Sequence, residues 1–427
     1  MRIVLVHNFY QQAGGEDRVF SDEAQLLAAH GHDVATFTKH NDAVDGMRPW
    51  TLAARTIWNS RSAVELEQLV RDHRADVVHF HNTLPLISPA AYYTARRTGA
   101  AVVQTLHNYR FVCPKATFFR DGGPCEKCLG KLVPLPAIRH ACYRDNRAAT
   151  AAIAAMLTFH RALGTYRRAI DAYIALSQFT RDKLIAGGLP SEKMHLRPNF
   201  MLDDPGAGPG GGGYAFYLGR LSPEKGVDTL LAAWERFQPG IPLVICGNGP
   251  LAPLVEQAAS RCNSISWFPN RSDAEVLERL GQASLFILPS VNYEGFPKTI
   301  VEAYSKGTPV VASRLGAMAE LVREGLSGAC FTPGDAGELA ATVRRLTSDT
   351  DRLLSMRAAT RRLFETHYSA AASCARLIEI YTNALRVRHR TAAAIPTAVA
   401  ENDSEINGFS IPGISRHERE QQEVCTT

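Results

Sequence analysis

A chain of 427 residues is too long for one hydrophobic core and fits two domains of ordinary size. With 45% hydrophobic and 21% charged residues and a net charge of +5, it has the composition of a globular protein and lacks the basic excess of a nucleic-acid binder. It contains no uninterrupted apolar run long enough to cross a bilayer.

The start, MRIVLVHNF, lacks the long apolar region and cleavage site of a secretory signal and reads as a buried strand over Arg2–Val6. An unexported chain keeps its nine cysteines as thiols or metal ligands, so a cytoplasmic location is expected. Residues 11–17 form a loop with Gly14 and Gly15 ahead of a helix ending near Gly31. Glycines here let backbone approach a ligand, and the helix amino end that follows is electropositive. The loop has neither the spacing of a dinucleotide fingerprint nor the Lys-Ser/Thr ending of a P-loop.

Further strands are expected at Val34–Thr38, Asp76–Phe80 and Ala101–Leu106, with helical connections. Three pairs, His7-Asn8, His81-Asn82 and His107-Asn108, each end a predicted strand. A doubly wound sheet brings all three to one rim, which argues for a polar cleft. His79 and His81 share a strand face with no further metal ligand in view, and read as acceptor-side contacts or as packing. Next comes HNYRFVCPKATFFRDGGPCEKCLGK, running on to Cys142. Cys113, Cys125, Cys128 and Cys142 have two readings: a structural zinc staple, in which Cys125 and Cys128 form the CxxC arm, or reduced thiols packing an acceptor-side loop. Between Arg139 and Arg168 arginines interleave with an apolar stretch. This fits either a helix with one buried face or a segment lying on an anionic membrane.

Strands at Tyr173–Leu176 and Met194–Arg197 precede residues 205–213, a glycine-rich stretch that reads as a flexible linker and domain boundary. A second alternation then begins. The strand Tyr214–Leu218 leads through a loop into the helix Val227–Phe237. Arg220 and Lys225 flank that junction, placed to converge on one anion. Leu243–Cys246 ends in the turn Gly247-Asn248-Gly249-Pro250, and Ile265–Phe268 follows. The strand Leu285–Leu288, a loop holding Glu294, a helix from Pro297 to Gly307 and the strand Val310–Ala312 make one βαβ unit. Glu294 and Glu302 face its crevice. Ionised carboxylates only accept hydrogen bonds, so they suit sugar or ribose hydroxyls, and the helix amino end between them suits a phosphate. A strand at Ala329–Phe331, a helix over 355–385 and an aperiodic tail from His389, expected to be disordered, complete the chain.

The pattern E-G-F-P-x4-E followed by K-G-T-P-V-V-A-S resembles the family-4 retaining glycosyltransferases, and the resemblance spans nearly all of residues 1–385. It implies an α/β protein of GT-B type, with two Rossmann-like doubly wound domains facing across a cleft. Residues 1–204 would be the acceptor-side domain with its cysteine-containing insertion, 205–213 the linker, 214–355 the nucleotide-sugar donor domain, 356–388 a helix crossing back and 389–427 the tail. By the same resemblance Glu302 holds the donor ribose, Glu294 contacts the transferred sugar and His107 faces that sugar. Arg220 and Lys225 bind the diphosphate, while Gly14, Gly15, Gly247, Asn248, Gly295, Phe296, Lys298 and Thr299 line the donor site. Pro297 has no amide hydrogen, so phosphate contacts fall to Lys298 and Thr299. His81, Asn82 and Asn108 are placed on the acceptor side.

The implied reaction moves a sugar from a nucleotide-sugar to a glycan or polyprenyl-linked hydroxyl in cell-surface polysaccharide synthesis. It needs no divalent ion, zinc being structural at most, and is compatible with peripheral contact to the inner face of an anionic membrane. A nucleotide-sugar epimerase or phosphorylase on the same fold, or a non-catalytic zinc-stapled glycan-binding partner, would share these features.

Overall fold

The structure, a computed structural model, describes residues 1–393 except Ala13 and Asn270. The disordered tail expected from His389 lies, beyond residue 393, outside the described residues. Two sheets organise residues 1–388, which pack as one unit. The first comprises β1 (Arg2–Phe9), β2 (Asp33–His40), β3 (Val77–Phe80), β4 (Ala101–Leu106), β5 (Ala172–Ala175) and β6 (Met194–Leu196), in the order β2-β1-β3-β4-β5-β6. The second comprises β7 (Ala215–Leu218), β8 (Leu243–Cys246), β9 (Ile265–Phe268), β10 (Leu285–Leu288), β11 (Val310–Ser313) and β12 (Gly328–Phe331), in the order β9-β8-β7-β10-β11-β12.

All pairings within both sheets are parallel. Helices cover both faces of such a sheet, so its central strands are largely apolar, and β3, β10 and β11 are buried throughout. In each sheet the strand order reverses once, between β1 and β3 and between β7 and β10. Ligands gather outside the carboxyl ends of the strands at such switch points.

The helices that position the site are α1 (Gly15–Ala29), α2 (Pro49–Ile57), α3 (Arg147–Ala162), α4 (Gln178–Ala186), α5 (Val227–Phe237), α6 (Lys298–Ser305), α7 (Thr350–His367) and α8 (Ala370–Ala393). The single helix expected over 355–385 is two. The break falls at Tyr368, whose carbonyl accepts from the Met201 amide at 3.2 Å. Beyond it α8 lays Leu377, Ile380 and Tyr381 against the underside of β1, β3 and β5 in the first sheet.

Residues 205–213, expected as a flexible linker, are instead pinned to the second domain. Gly208, Gly210 and Gly212 donate to the carbonyls of Lys306, Gly281 and Gln282 at 2.9 Å each, and Arg357 ties Gly208 to Gly281 through their carbonyls. A Cβ on Gly208 would stand 2.3 Å from the Gly281 backbone, so these glycines serve close contact between two backbones. Within the segment from Arg139 to Arg168, α3 is an amphipathic helix with a buried apolar face, and Arg161 donates inward to the carbonyls of Phe111 and Lys131.

Candidate active site

The loop after β10 carries Glu294 to the mouth of the crevice. Its carboxylate accepts from Lys225 Nζ at 2.7 Å and from Ser290 Oγ at 2.8 Å. Lys225 is held there because the turn before α5 closes on Gly226, where φ is +69° and a Cβ would stand 1.9 Å from the Pro289 carbonyl oxygen, so only glycine fits. Gly247 does the same at the end of β8, where φ is +144° and a Cβ would strike the Gly219 carbonyl at 1.9 Å. The backbone amides of Lys298 and Thr299, first in α6, have no protein partner among the described residues. Opposite stands the amino end of α1 with Gly15, where a Cβ would meet nothing, so the space is left for a ligand. Gly15, His107, Lys225, Glu294, Lys298 and Thr299 thus enclose one cavity of about 320 Å³.

Leu218 joins it to a second cavity of about 290 Å³ lined by Gly247, Arg18 and Glu302. The Glu302 carboxyl accepts no hydrogen bond from the described protein, and burial raises its pKa against the pull of Lys298 and Arg18. Not every expected residue comes here. Arg220 points to solvent and lines neither cavity, and the Asn248 side chain is spent on the Gly249 amide at 2.7 Å. Phe296 does line the first cavity while its ring packs into the core of the second domain, and Gly14 donates its amide to Asp17 at 2.8 Å.

The two domains are clipped together around the loop. Ser177 and Thr180 at the start of α4 both donate to the Gly295 carbonyl at 2.9 Å, and Asn199 donates to that of Phe296. A Cβ on Gly295 would come within 3.1 Å of the His107 carbonyl. Across the mouth Lys298 pairs with Asp22 at 2.6 Å and Arg18 with Asp273 at 2.5 Å.

The three His-Asn pairs do meet at one rim, held from within. His81 and Asn82, expected on the acceptor side, are buried: Asn82 donates to the Asn8 carbonyl at 2.7 Å, and His81 Nδ1 lies 2.9 Å from His107 Nε2. They position neighbours rather than reach a ligand. Asn108 donates to Glu16 Oε1 at 2.6 Å, and Glu16 also accepts from Tyr10 at 2.9 Å.

Sequence reasoning missed Glu23. It is fully buried on α1, and its carboxylate meets Arg197 Nη1 at 2.5 Å, His79 Nδ1 at 2.8 Å and His81 Nε2 at 3.2 Å. Burial opposes its charge, yet Arg197, then His79 and His81, hold the carboxyl well below the usual range. Burial lowers His81 to about 4 and drives His107 well below its ordinary value, so both rings are neutral near pH 7. That fixes the tautomers. His81 donates from Nε2 to ionised Glu23, its Nδ1 accepts from His107 Nε2–H, and His107 keeps an unshared lone pair on Nδ1. The signal for Glu23 in sequence was only an acidic residue on the inner face of an amphipathic helix.

Glu23, His79 and His81 have ligand atoms within 4.8 Å of one another. Their polar atoms are already matched by Arg197, Tyr381, Thr105 and His107, which fits a buried hydrogen-bond network rather than a metal site. The four cysteines lie near enough to influence one another: burial first, then Cys113, Cys142 and Cys125, pushes the Cys128 thiol up to about 11. Among the described residues no three of these sulfurs come within 4.8 Å of one another, whereas Zn–S bonds of about 2.3 Å put tetrahedral sulfurs about 3.8 Å apart.

Residues 13–201 match the model described as Glycosyltransferase Family 4, and residues 205–363 match that described as Glycosyl transferases group 1. A glycogen synthase of Mycobacterium tuberculosis is 28% identical over 82% of this chain and 86% of its own length. A phosphatidyl-myo-inositol mannosyltransferase of Mycobacterium leprae is 30% identical over 45% of this chain and 54% of its own length. The crystal structure of Anabaena HepE in complex with UDP superposes with a TM-score of 0.64 at 18% identity, covering 90% of this chain and all of that one. With one family model on each domain and the crevice between them, the chain belongs to the family-4 glycosyltransferases and has their GT-B fold.

Proposed function

We propose that this glycosyltransferase moves a sugar, with retention at its anomeric carbon, from a nucleotide-sugar to a hydroxyl of a glycan or lipid-linked acceptor in cell-surface polysaccharide synthesis. One observation carries the reading. Lys225 and the unpartnered amides of Lys298 and Thr299 surround Glu294, with His107 facing them across one cavity. The positive groups suit the departing diphosphate, whose charge grows as the bond from its oxygen to the anomeric carbon breaks. The acceptor oxygen adds to the same face of that carbon, and its proton passes to the leaving phosphate oxygen.

Glu294 and the His107 Nδ1 lone pair accept from sugar hydroxyls, and Glu302, whose carboxyl has no hydrogen-bond partner among the described residues, accepts from the ribose. Arg220 completes the diphosphate site by swinging in from solvent, and this positive set takes the place of a divalent ion. Residues 1–204 then form the acceptor-side domain, 214–355 the donor domain and 356–388 the return to the first. We read the cysteine quartet as a structural zinc staple, supported by the CxxC turn; zinc binding would have to draw the sulfurs closer than they stand and release their protons. Exposed Leu132 and Leu135 beside Arg139 support peripheral contact with an anionic membrane on the cytoplasmic face.

Nucleoside diphosphates and nucleotide-sugars tested by thermal shift read out the donor site. The uridine diphosphate bound by Anabaena HepE puts uridine nucleotides first. A ligand at a hundred times its Kd stabilises the native state by about 2.7 kcal/mol. Glu302→Ala should abolish the shift, and stabilisation of both proteins by no nucleotide would refute the donor crevice.

A further inference from the structure

A second cavity lies outside the donor crevice, between α2 and α3 of the first domain. It encloses about 480 Å³, with walls of Pro49, Leu52 and Ala53 on one side and Ala149, Ala152 and Ile153 on the other. Trp50 stands beside it 67% exposed, and Arg48 stacks over the indole at 5.4 Å. Such walls left to water are unfavourable, and concave apolar sites of this size are ligand sites.

The groove is not isolated from the chemistry. Asn41 in its lining accepts from the Asn8 side chain at 2.7 Å, at the carboxyl end of β1. Tyr143, also in the lining, carries the Arg110 guanidinium 4.9 Å from its ring centre. The Arg110 amide is held by Asn108, which bonds to Glu16 in the wall of the donor cavity. One wall of groove and one wall of crevice are therefore two side chains apart. Charge points the same way. Arg48, Arg144 and Arg147 are exposed around the groove, and no carboxylate stands within salt-bridge distance of any of them among the described residues.

We propose that this groove holds the apolar chain of the acceptor, and that Arg144, Arg147 and Arg48 take the anionic, phosphate-type head beside it. Apolar helix walls bordered by guanidinium groups without carboxylate partners match a phosphorylated hydrocarbon better than a neutral glycan, whose hydroxyls those walls cannot pair. The proposal rests on the transferase reading for the identity of the ligand as acceptor, though the groove binds on its own.

Alkyl phosphates from hexyl to dodecyl phosphate, titrated calorimetrically into the full chain, test it. Each added methylene that enters the groove should raise affinity about fourfold. Ala152→Trp, and as a second variant Ala53→Trp from the opposite wall, should weaken dodecyl phosphate at least tenfold while leaving nucleotide thermal shifts unchanged. Arg144→Gln with Arg147→Gln should weaken dodecyl phosphate but not dodecanol. Equal affinity of hexyl and dodecyl phosphate, or wild-type binding by both tryptophan variants, overturns the proposal. Chain binding to anionic vesicles that survives Ala152→Trp, with no alkyl phosphate bound, assigns the surface to a membrane and overturns it too. Binding of dodecyl phosphate without any nucleotide shift would sink the transferase reading and leave the groove standing.

Discussion

Arg197→Met tests the buried charge network beneath the reaction centre. Arg197 is 2% exposed, and its Nη1 donates to Glu23, itself 0% exposed, at 2.5 Å. Its Nε donates to the Ser373 carbonyl of α8 at 3.2 Å, and its guanidinium stacks on Phe200 at 5.2 Å. Methionine keeps much of the stem volume and removes the charge. Uncompensated, Glu23 must carry a buried negative charge with only histidine partners, and breaking a buried pair from one side costs about 3–5 kcal/mol. At about 2–4 °C per kcal/mol for a domain of this size, the melting temperature should fall by roughly 6–20 °C.

The pH dependence has a definite sign. The folded pKa of Glu23 is depressed, so its contribution is fully present above the ordinary carboxylate value of about 4.3 and is lost as pH falls through the folded value. Wild type and variant should therefore differ at pH 7 and converge in acid. Glu23→Gln combined with Arg197→Met removes both charges and should recover at least about 2 kcal/mol relative to additivity. Thermal melts of the four proteins of this cycle at pH 7, and at a series of pH values falling below the ordinary carboxylate value, supply the measurement. A loss below about 1 kcal/mol for Arg197→Met, or strict additivity in the double variant, would refute the reasoning.

Other outcomes follow from the same contacts. His81→Leu leaves the His107 Nε2–H without its acceptor, a stability cost of about 1–3 kcal/mol, and should lower turnover by releasing the ring from its tautomer, whereas His81→Asn retains an acceptor near the same place and should stay close to wild type. Long-range proton–nitrogen spectra of the imidazoles report the His107 tautomer directly, and equal turnover of the two variants would show that it does not matter. Glu294→Gln should lower turnover by about a hundred- to thousandfold with melting temperature preserved, as expected for a group that works on the transition state; transfer near the wild-type rate would remove Glu294 from the site. For the cysteines, metal analysis should find one zinc per chain, lost together with several degrees of melting temperature in Cys125→Ser. A metal-free protein whose melting that variant leaves untouched would mean packed thiols.

The βαβ unit around Glu294 and Glu302 was legible because its signals are local. An apolar run, a proline and a closing glycine mark the strand and helix, with Pro297 serving as the cap before the helix rather than its first residue. The same holds for the strand ends that bear His7, His81 and His107, since a parallel strand buried on both faces announces itself by composition. Lys225 lines the crevice as its short turn implies, whereas Arg220 is exposed and lines neither cavity, because the direction of a long exposed side chain is not set by its local sequence.

Pairings between distant residues were out of reach. Glu23 with Arg197, Gly208 with Gly281, Lys298 with Asp22 and Ser177 with Gly295 each join segments that no sequence window contains. The glycine run at 205–213 reads as a flexible coil until its partner backbone is known, and a buried glutamate reads as a surface charge until its arginine arrives. Short-range propensity and periodicity therefore determined which elements form and which rim bears the chemistry. Only the tertiary structure decided which polar groups are spent holding the protein together and which remain open for a ligand, because that depends on what the fold brings within hydrogen-bonding distance.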